Sequence, residues 1–137
     1  MRVFVDANIL IAVLNKEYPL FSNAARILSL NGKKNIQIFT SPLCLAIAFY
    51  FSTKKSGEKL AKKKIKILCE NIGITTIDDV ITKRAIKNPK VHDFEDGMEY
   101  YSALNSKCEI IVTENQSDFY FSEIPILGSE EFLFDRI

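Results

Sequence analysis

The residues of this chain whose types and spacing could do chemistry are its carboxylates, which gather in three places. The first is Asp6, which ends the apolar run Val3-Phe4-Val5 and precedes Ala7-Asn8-Ile9-Leu10. A carboxylate just past such a run sits where open α/β sheets take their ligands, beyond the carboxyl ends of the strands. Asp is also a favoured helix N-cap, and Asn8 can either orient Asp6 or cap the helix itself. The second place is His92-Asp93-Phe94-Glu95-Asp96-Gly97-Met98-Glu99, with four acids within seven residues. Asp93 reads as an N-cap with Asp96 three residues on, and acids suit the positive end of a helix dipole. Four like charges so close also repel one another unless solvent or a cation intervenes. With Phe94, Met98 and Tyr101 taken as the core stripe, Asp96 falls nearly opposite Phe94, so periodicity alone does not aim it at the core. The third place is Thr113-Glu114-Asn115-Gln116-Ser117-Asp118-Phe119, a turn whose hydroxyl and amide groups can hold one another by hydrogen bonds.

The charge distribution sharpens the question. Before Asp93 there are 16 Lys and Arg against 6 Asp and Glu; from Asp93 onward there are 2 against 11, which gives about +10 and −9 within a net +1. Acid concentrated in one third of a folded chain either spreads over the surface or collects around a cation. Hard oxygen ligands without clustered His or Cys suit Mg²⁺ or Mn²⁺ rather than zinc. Such a site holds a phosphate and activates water for phosphoryl chemistry.

These groups need a scaffold to bring them together. The chain has 137 residues, 47% hydrophobic and 26% charged, enough for one domain over 1–137 with a real core and against a disordered or fibrous reading. An acid stands at position 6, where a secretory leader carries its apolar core. No stretch reaches ~18 uncharged apolar residues. The expectation is a soluble cytoplasmic protein with no membrane segment. Cys44, Cys69 and Cys108 are scattered and odd in number, which suggests reduced thiols serving as small apolar packers.

Strands are expected over Val3–Val5, Ile36–Phe39, Ile74–Ile77, Glu109–Thr113 and Pro125–Leu127. Helices are expected over Ala7–Leu14, over Asn23–Leu30 behind a Ser22 cap, and from Pro42 to about Ser52 behind a Ser41 cap. Others should cover Ser56–Asn71, a segment from Asp78 or Asp79 towards Ile86, Asp93–Ser106, and a closing segment from Ser129. Short apolar strands alternating with helices imply parallel pairing and right-handed crossovers. The fold class is therefore α/β, a three-layer α/β/α sandwich around a mostly parallel sheet of four to five strands.

Phe4-Val5-Asp6-Ala7-Asn8-Ile9-Leu10, Asp93-Phe94-Glu95-Asp96, and Ile110-Ile111-Val112-Thr113-Glu114-Asn115 with Asp118-Phe119 together resemble the PIN-domain family, in order and over nearly the whole chain. The resemblance implies a Mg²⁺- or Mn²⁺-dependent ribonuclease with Asp6, Asp96 and Asp118 as core acids and metal ligands. Asn8, Thr113 and Asn115 would orient them, with Asp93, Glu95 and Glu114 as further candidates. In the family's small members it commonly implies the toxin of a VapC-type toxin–antitoxin pair, a homodimer held inactive by a cognate antitoxin. The family usually places another Glu early in the helix after the second strand; Ser41-Pro42-Leu43-Cys44-Leu45-Ala46-Ile47-Ala48 contains none, as in an apolar branch of similar proteins. Glu114 stands where the family's Thr-Arg-Asn motif carries Arg. Glu95 or Glu114 is a candidate to restore the missing charge.

A basic run holds Lys54, Lys55, Lys59, Lys62, Lys63, Lys64 and Lys66, and Lys59, Lys62, Lys63 and Lys66 recur at helical spacing. That stripe suits RNA phosphates, or else is a solvated face. His92 reads as a loop residue. Two rivals remain: a PIN-like RNA- or protein-binding module without catalysis, and a phosphotransfer protein with an aspartyl nucleophile. The second would want an acid where Asn8 stands.

Overall fold

A computed structural model describes Met1 to Ile137. Five strands, β1 (Arg2–Val5), β2 (Gln37–Thr40), β3 (Gly73–Ile74), β4 (Ile110–Val112) and β5 (Ile126–Leu127), form one sheet in the order β3-β2-β1-β4-β5. Every pairing is parallel. Seven helices connect and flank them: α1 (Ala7–Leu14), α2 (Leu20–Ser29), α3 (Pro42–Ser56), α4 (Glu58–Asn71), α5 (Asp79–Lys87), α6 (Phe94–Asn105) and α7 (Ser129–Arg136), with a 3₁₀ turn at Gln116–Phe119. No helix is long and apolar enough to cross a membrane.

The sequence dictates the centre of this sheet. Val3, Phe4, Val5, Ile110, Ile111 and Val112 are all buried, as continuous apolar strands must be when helices cover both faces. From β1 the chain steps outward to β2 and β3, then returns to the other side of β1 as β4. The crevice at the carboxyl ends of β1 and β4 is therefore the point where the topology switches, and Asp6 and Thr113 are the first residues beyond those two ends. Register fixes them as neighbours: Val5 pairs with Val112, and the Asp6 amide donates to the Val112 carbonyl at 3.0 Å.

Several boundaries differ from the sequence expectation for local reasons. α2 begins at Leu20 rather than behind Ser22, and Pro19 stands at its entry without a side-chain cap. α3 runs on to Ser56 before Gly57, at φ +85°, breaks it from α4; Ser56 thus ends one helix instead of opening the next. β3 shrinks to two residues, because after Thr75 bonds to the Thr40 carbonyl its hydroxyl engages Ser102 at 2.5 Å and the chain turns towards α6. The caps at Ser41, Asp78 and Asp93 form as expected, each side chain accepting backbone N–H bonds.

α6 departs most from the reading. Phe94 is 41% exposed, and Met98 and Tyr101 are only half-buried. The inward residues are Gly97, Glu99, Tyr100, Ser102 and Ala103. Gly97 permits this rotation, since a Cβ there would sit 2.7 Å from Val91 Cγ1 and 3.1 Å from Ala85 Cβ on α5.

Candidate active site

Asp6 is buried at the entry to α1 with both oxygens engaged. Oδ1 accepts from the Ala7 amide at 2.7 Å, while Oδ2 accepts from the Thr113 hydroxyl at 2.8 Å and the Asn8 amide at 3.3 Å. The Asn8 amide also reaches Thr113 Oγ1 at 3.0 Å, and its Oδ1 accepts from the Glu114 backbone at 3.2 Å. The Asn115 amide donates to Thr113 Oγ1 at 3.0 Å. The end of β1 and the end of β4 are thus stitched through three side chains, and these hydrogen bonds hold the Asp6 carboxylate in one orientation. Asn8 and Thr113 thus reach Asp6 through their side chains, whereas Asn115 reaches Thr113 through its backbone N–H.

Asp6, Asn8, Glu95, Asp96, Glu99, Asn115 and Asp118 line one cavity of about 220 Å³ together with Ala7, Ile11, Ile47 and Phe51. Asp118 enters from the 3₁₀ turn, whose first bond runs from the Asp118 amide to the Asn115 carbonyl. α6 supplies Glu95, Asp96 and Glu99, the last two three residues apart and so on one helical face. Asp93 stands at the helix start, its Oδ1 capping the Glu95 and Asp96 amides at 2.9 and 3.3 Å; its position is that of a cap. Glu114 turns away: its Oε1 accepts from the Ser129 amide at 2.7 Å at the start of α7, so it does not restore a carboxylate to the cavity.

Glu99 is the residue that sequence reasoning passed over as a site candidate. It is only 2% exposed and lies behind Asp6, and the Cys44 thiol donates to its Oε1 at 2.5 Å while approaching Asp6 Oδ1 at 3.8 Å. Cys44 is therefore no simple apolar packer; it links α3 to the acids. Asp6, Cys44 and Glu99 offer ligand atoms within 4.8 Å of one another. The spacing Asp96–Glu99–Ala103 would have revealed this face had Phe94 not been taken as the anchor.

The electrostatics follow from crowding. Burial, reinforced by Asp6, holds the Glu99 carboxyl protonated up to about 10. Burial, then the charges of Asp93, Asp118, Asp6 and Glu95, raises Asp96 to about 7. Burial and the neighbouring Asp93 and Asp6 push Glu95 upward, and burial beside Glu99 and Asp6 pushes the Cys44 thiol well up. No Lys or Arg lines the cavity, and the chain's two ion pairs, Lys62–Glu58 and Lys83–Asp79, lie elsewhere. Without a cation, protons compensate part of the charge. Five carboxylates on one cavity, with mainly hard oxygen donors, suit a divalent ion such as Mg²⁺ or Mn²⁺.

The lysines divide. Lys55 and Lys64 donate to the carbonyls of Asn15 and Leu14 at 2.5 and 2.7 Å, closing the end of α1, and Lys54 lies over the Tyr50 ring at 4.7 Å. Lys59, Lys62, Lys63 and Lys66 are exposed on α4, with Lys62 paired to Glu58 at 3.1 Å.

Comparison with known proteins bears on this arrangement. No curated protein matches the sequence. Among solved structures, VapBC2 from Rickettsia felis bound to a promoter DNA fragment has a TM-score of 0.70 at 18% identity, covering 93% of this chain and 98% of that one. VapC20 of Mycobacterium tuberculosis, described as a Sarcin-Ricin loop cleaving toxin, has a TM-score of 0.67 at 15% identity, covering 89% and 98%. A toxin–antitoxin complex from Klebsiella pneumoniae has 0.69 at 18%, covering 93% and 97%. At these identities the likeness is one of fold. A family model described as PIN domain matches residues 2–117, which take in Asp6, Glu95, Asp96 and Glu99 of the cavity and end one residue before Asp118, and the chain belongs to the PIN-domain family.

Proposed function

We propose that this PIN domain, a single unit over residues 1–137, is an endoribonuclease that hydrolyses RNA phosphodiesters with Mg²⁺ or Mn²⁺. The observation that carries the reading is the meeting of five carboxylates, from the end of β1, α6 and the 3₁₀ turn, on one cavity without a basic residue in its walls. Asp6, Asp96 and Asp118 would hold the ion. A divalent ion in such a site supplies a water of lowered pKa and neutralises charge on the phosphate.

The protein's own groups set the conditions for that chemistry. Ala7, Asn8 and Thr113 fix both oxygens of Asp6. Asp96, raised to about 7, gives up its proton when a cation arrives. Glu99, tied to Cys44, is a positioning residue behind Asp6 and stands in for the acid that α3 lacks, since α3 offers only Ile47 and Phe51 to the cavity. Glu95 guards the mouth, and Asp93 orders the first turn of α6. Lys59, Lys62, Lys63 and Lys66 offer a track for RNA phosphates, whose contribution should weaken steeply with salt.

Similarity in fold to VapC20 and to toxin–antitoxin complexes supports a role as the toxin of such a pair: a cytoplasmic homodimer neutralised by a cognate antitoxin. The apolar α3 wall favours a second reading, a binding module without catalysis.

Calorimetric titration with Mn²⁺, run on wild type and Asp96→Asn in parallel with RNA cleavage by wild type and Asp6→Asn, separates the two. The nuclease reading expects Mn²⁺ binding lost in Asp96→Asn and cleavage abolished in a folded Asp6→Asn protein. Undiminished cleavage by Asp6→Asn refutes the site. RNA binding with neither Mn²⁺ binding nor cleavage in wild type establishes the binding module instead.

A further inference from the structure

A second cleft, of about 570 Å³, opens beside the acids, with Pro89, Lys90, His92, Tyr120 and Ser122 in its walls. Its volume lies within the ~300–1,000 Å³ usual for small-ligand pockets. The same two chain segments build both cavities. His92 directly precedes Asp93, and Tyr120 follows Asp118 by two residues, a reach of at most about 7 Å along the chain.

The walls are unusual for a solvated loop. The His92 and Tyr120 rings are 5.5 Å apart and inclined by 31°, and Tyr120 is 56% exposed although both its neighbours on the chain pack inward to some degree. Its hydroxyl donates to the Lys90 carbonyl and accepts from the His92 amide at 3.1 Å, which locks the two segments together. The ring stands edge-on to Phe121 at 5.4 Å, and Phe121 stands edge-on to the buried Tyr100 at 5.1 Å. An exposed aromatic face braced in this way loses little freedom when something stacks on it. The Lys90 ammonium forms no ion pair.

We infer that the His92–Tyr120 cleft is a subsite for an unpaired nucleobase of the RNA, stacked on these rings beside the acid pocket, with Lys90 on the adjoining phosphate. The inference rests on the ribonuclease reading for its substrate class. Unpaired bases are what proteins read on RNA by aromatic stacking, whereas a duplex keeps its faces covered. The enzyme would then select a strand with a splayed base near the scissile bond and exclude continuous duplex.

The test measures binding by fluorescence anisotropy in the Asp6→Asn background, with a labelled single-stranded oligoadenylate and an abasic ribose-phosphate chain of equal length. Tyr120→Leu should weaken oligoadenylate binding by about 5- to 150-fold and leave the abasic chain unchanged. Tyr120→Phe, which keeps the ring, should stay within about threefold. His92→Ala, at an exposed position, gives an independent second reading and should weaken oligoadenylate alone. Equal losses on both chains, or none on either, overturn the subsite. So does unchanged RNA binding alongside a lost affinity for a protein partner, which would assign the rings to that partner. Base-dependent binding through Tyr120 in a protein that never cleaves RNA with Mn²⁺ leaves the subsite standing and removes the nuclease. Cleavage with a KM indifferent to Tyr120→Leu does the reverse.

Discussion

Replacing Glu99 by Gln should change how the stability of the metal-free protein depends on pH. Glu99 holds its proton up to about 10 in the folded state, chiefly through burial, against the usual 4.5 in an unfolded chain. Between those values the unfolded state binds fewer protons than the folded one, so stability falls as pH rises; the contribution is fully present only below 4.5. One such group costs about 1.4 kcal/mol per pH unit across the window. Both pH 6 and pH 8 lie well inside it, so wild type should lose about 2.7 kcal/mol between them through Glu99 alone. At 2% exposure the group has no solvent to screen it. Gln keeps the size and a hydrogen-bonding head but carries no titrating proton. Urea unfolding at pH 6, 7 and 8 in EDTA, on both proteins, measures the difference, and contributions the two share cancel. The variant should gain on wild type by about 1.4 kcal/mol for each unit of pH. Parallel profiles would refute the account of Glu99 as a buried neutral acid.

Asp96 sets a second pH dependence: below about 7 an arriving ion must displace its proton, so apparent Mn²⁺ affinity should fall about fivefold in calorimetry from pH 7 to pH 6, steepening towards about tenfold per unit below that. Asp93→Ala should cost about 1 kcal/mol through the lost cap of α6, measured by urea unfolding. Because the Asp93 charge helps to raise Asp96, the same variant should shift the Mn²⁺ affinity profile to lower pH. Gly97→Ala should destabilise by about 1–3 kcal/mol despite alanine's helix preference, because the new Cβ presses on Val91 and on Ala85 of α5. An unchanged thermal midpoint would show that α5 can retreat at no cost.

Features set by neighbours in sequence were legible before the structure. Asp6 after an apolar run, Ser41 and Pro42 at a helix start, and Asp93 as a cap each depend on a few adjacent residues. The parallel α/β fold was legible because its central strands are continuous apolar runs. Features set across the chain were not. Periodicity assumes that the apolar side faces inward, but α6 turns acids inward and leaves Phe94 in solvent, which hid Glu99. Glu114 looked like a loop acid beside the site, yet its partner is an amide 15 residues ahead. Lys55 and Lys64 read as part of a charged stripe, but each reaches back to the end of α1.

The hydrogen bond from Thr113 to Asp6 spans 107 positions of the chain. During synthesis the first strand, its acid and most of the lysines emerge long before the residue that orients that acid. A growing chain that stops short of β4 holds Asp6 only through its neighbours Ala7 and Asn8 and lacks Thr113 and Asp118, whatever helices it has already formed. The acid pocket is therefore completed late, with the closing of the longest loop in the fold's central pairing. A product truncated before Thr113 would lack both the hydroxyl that orients Asp6 and the Asp118 arm of the pocket.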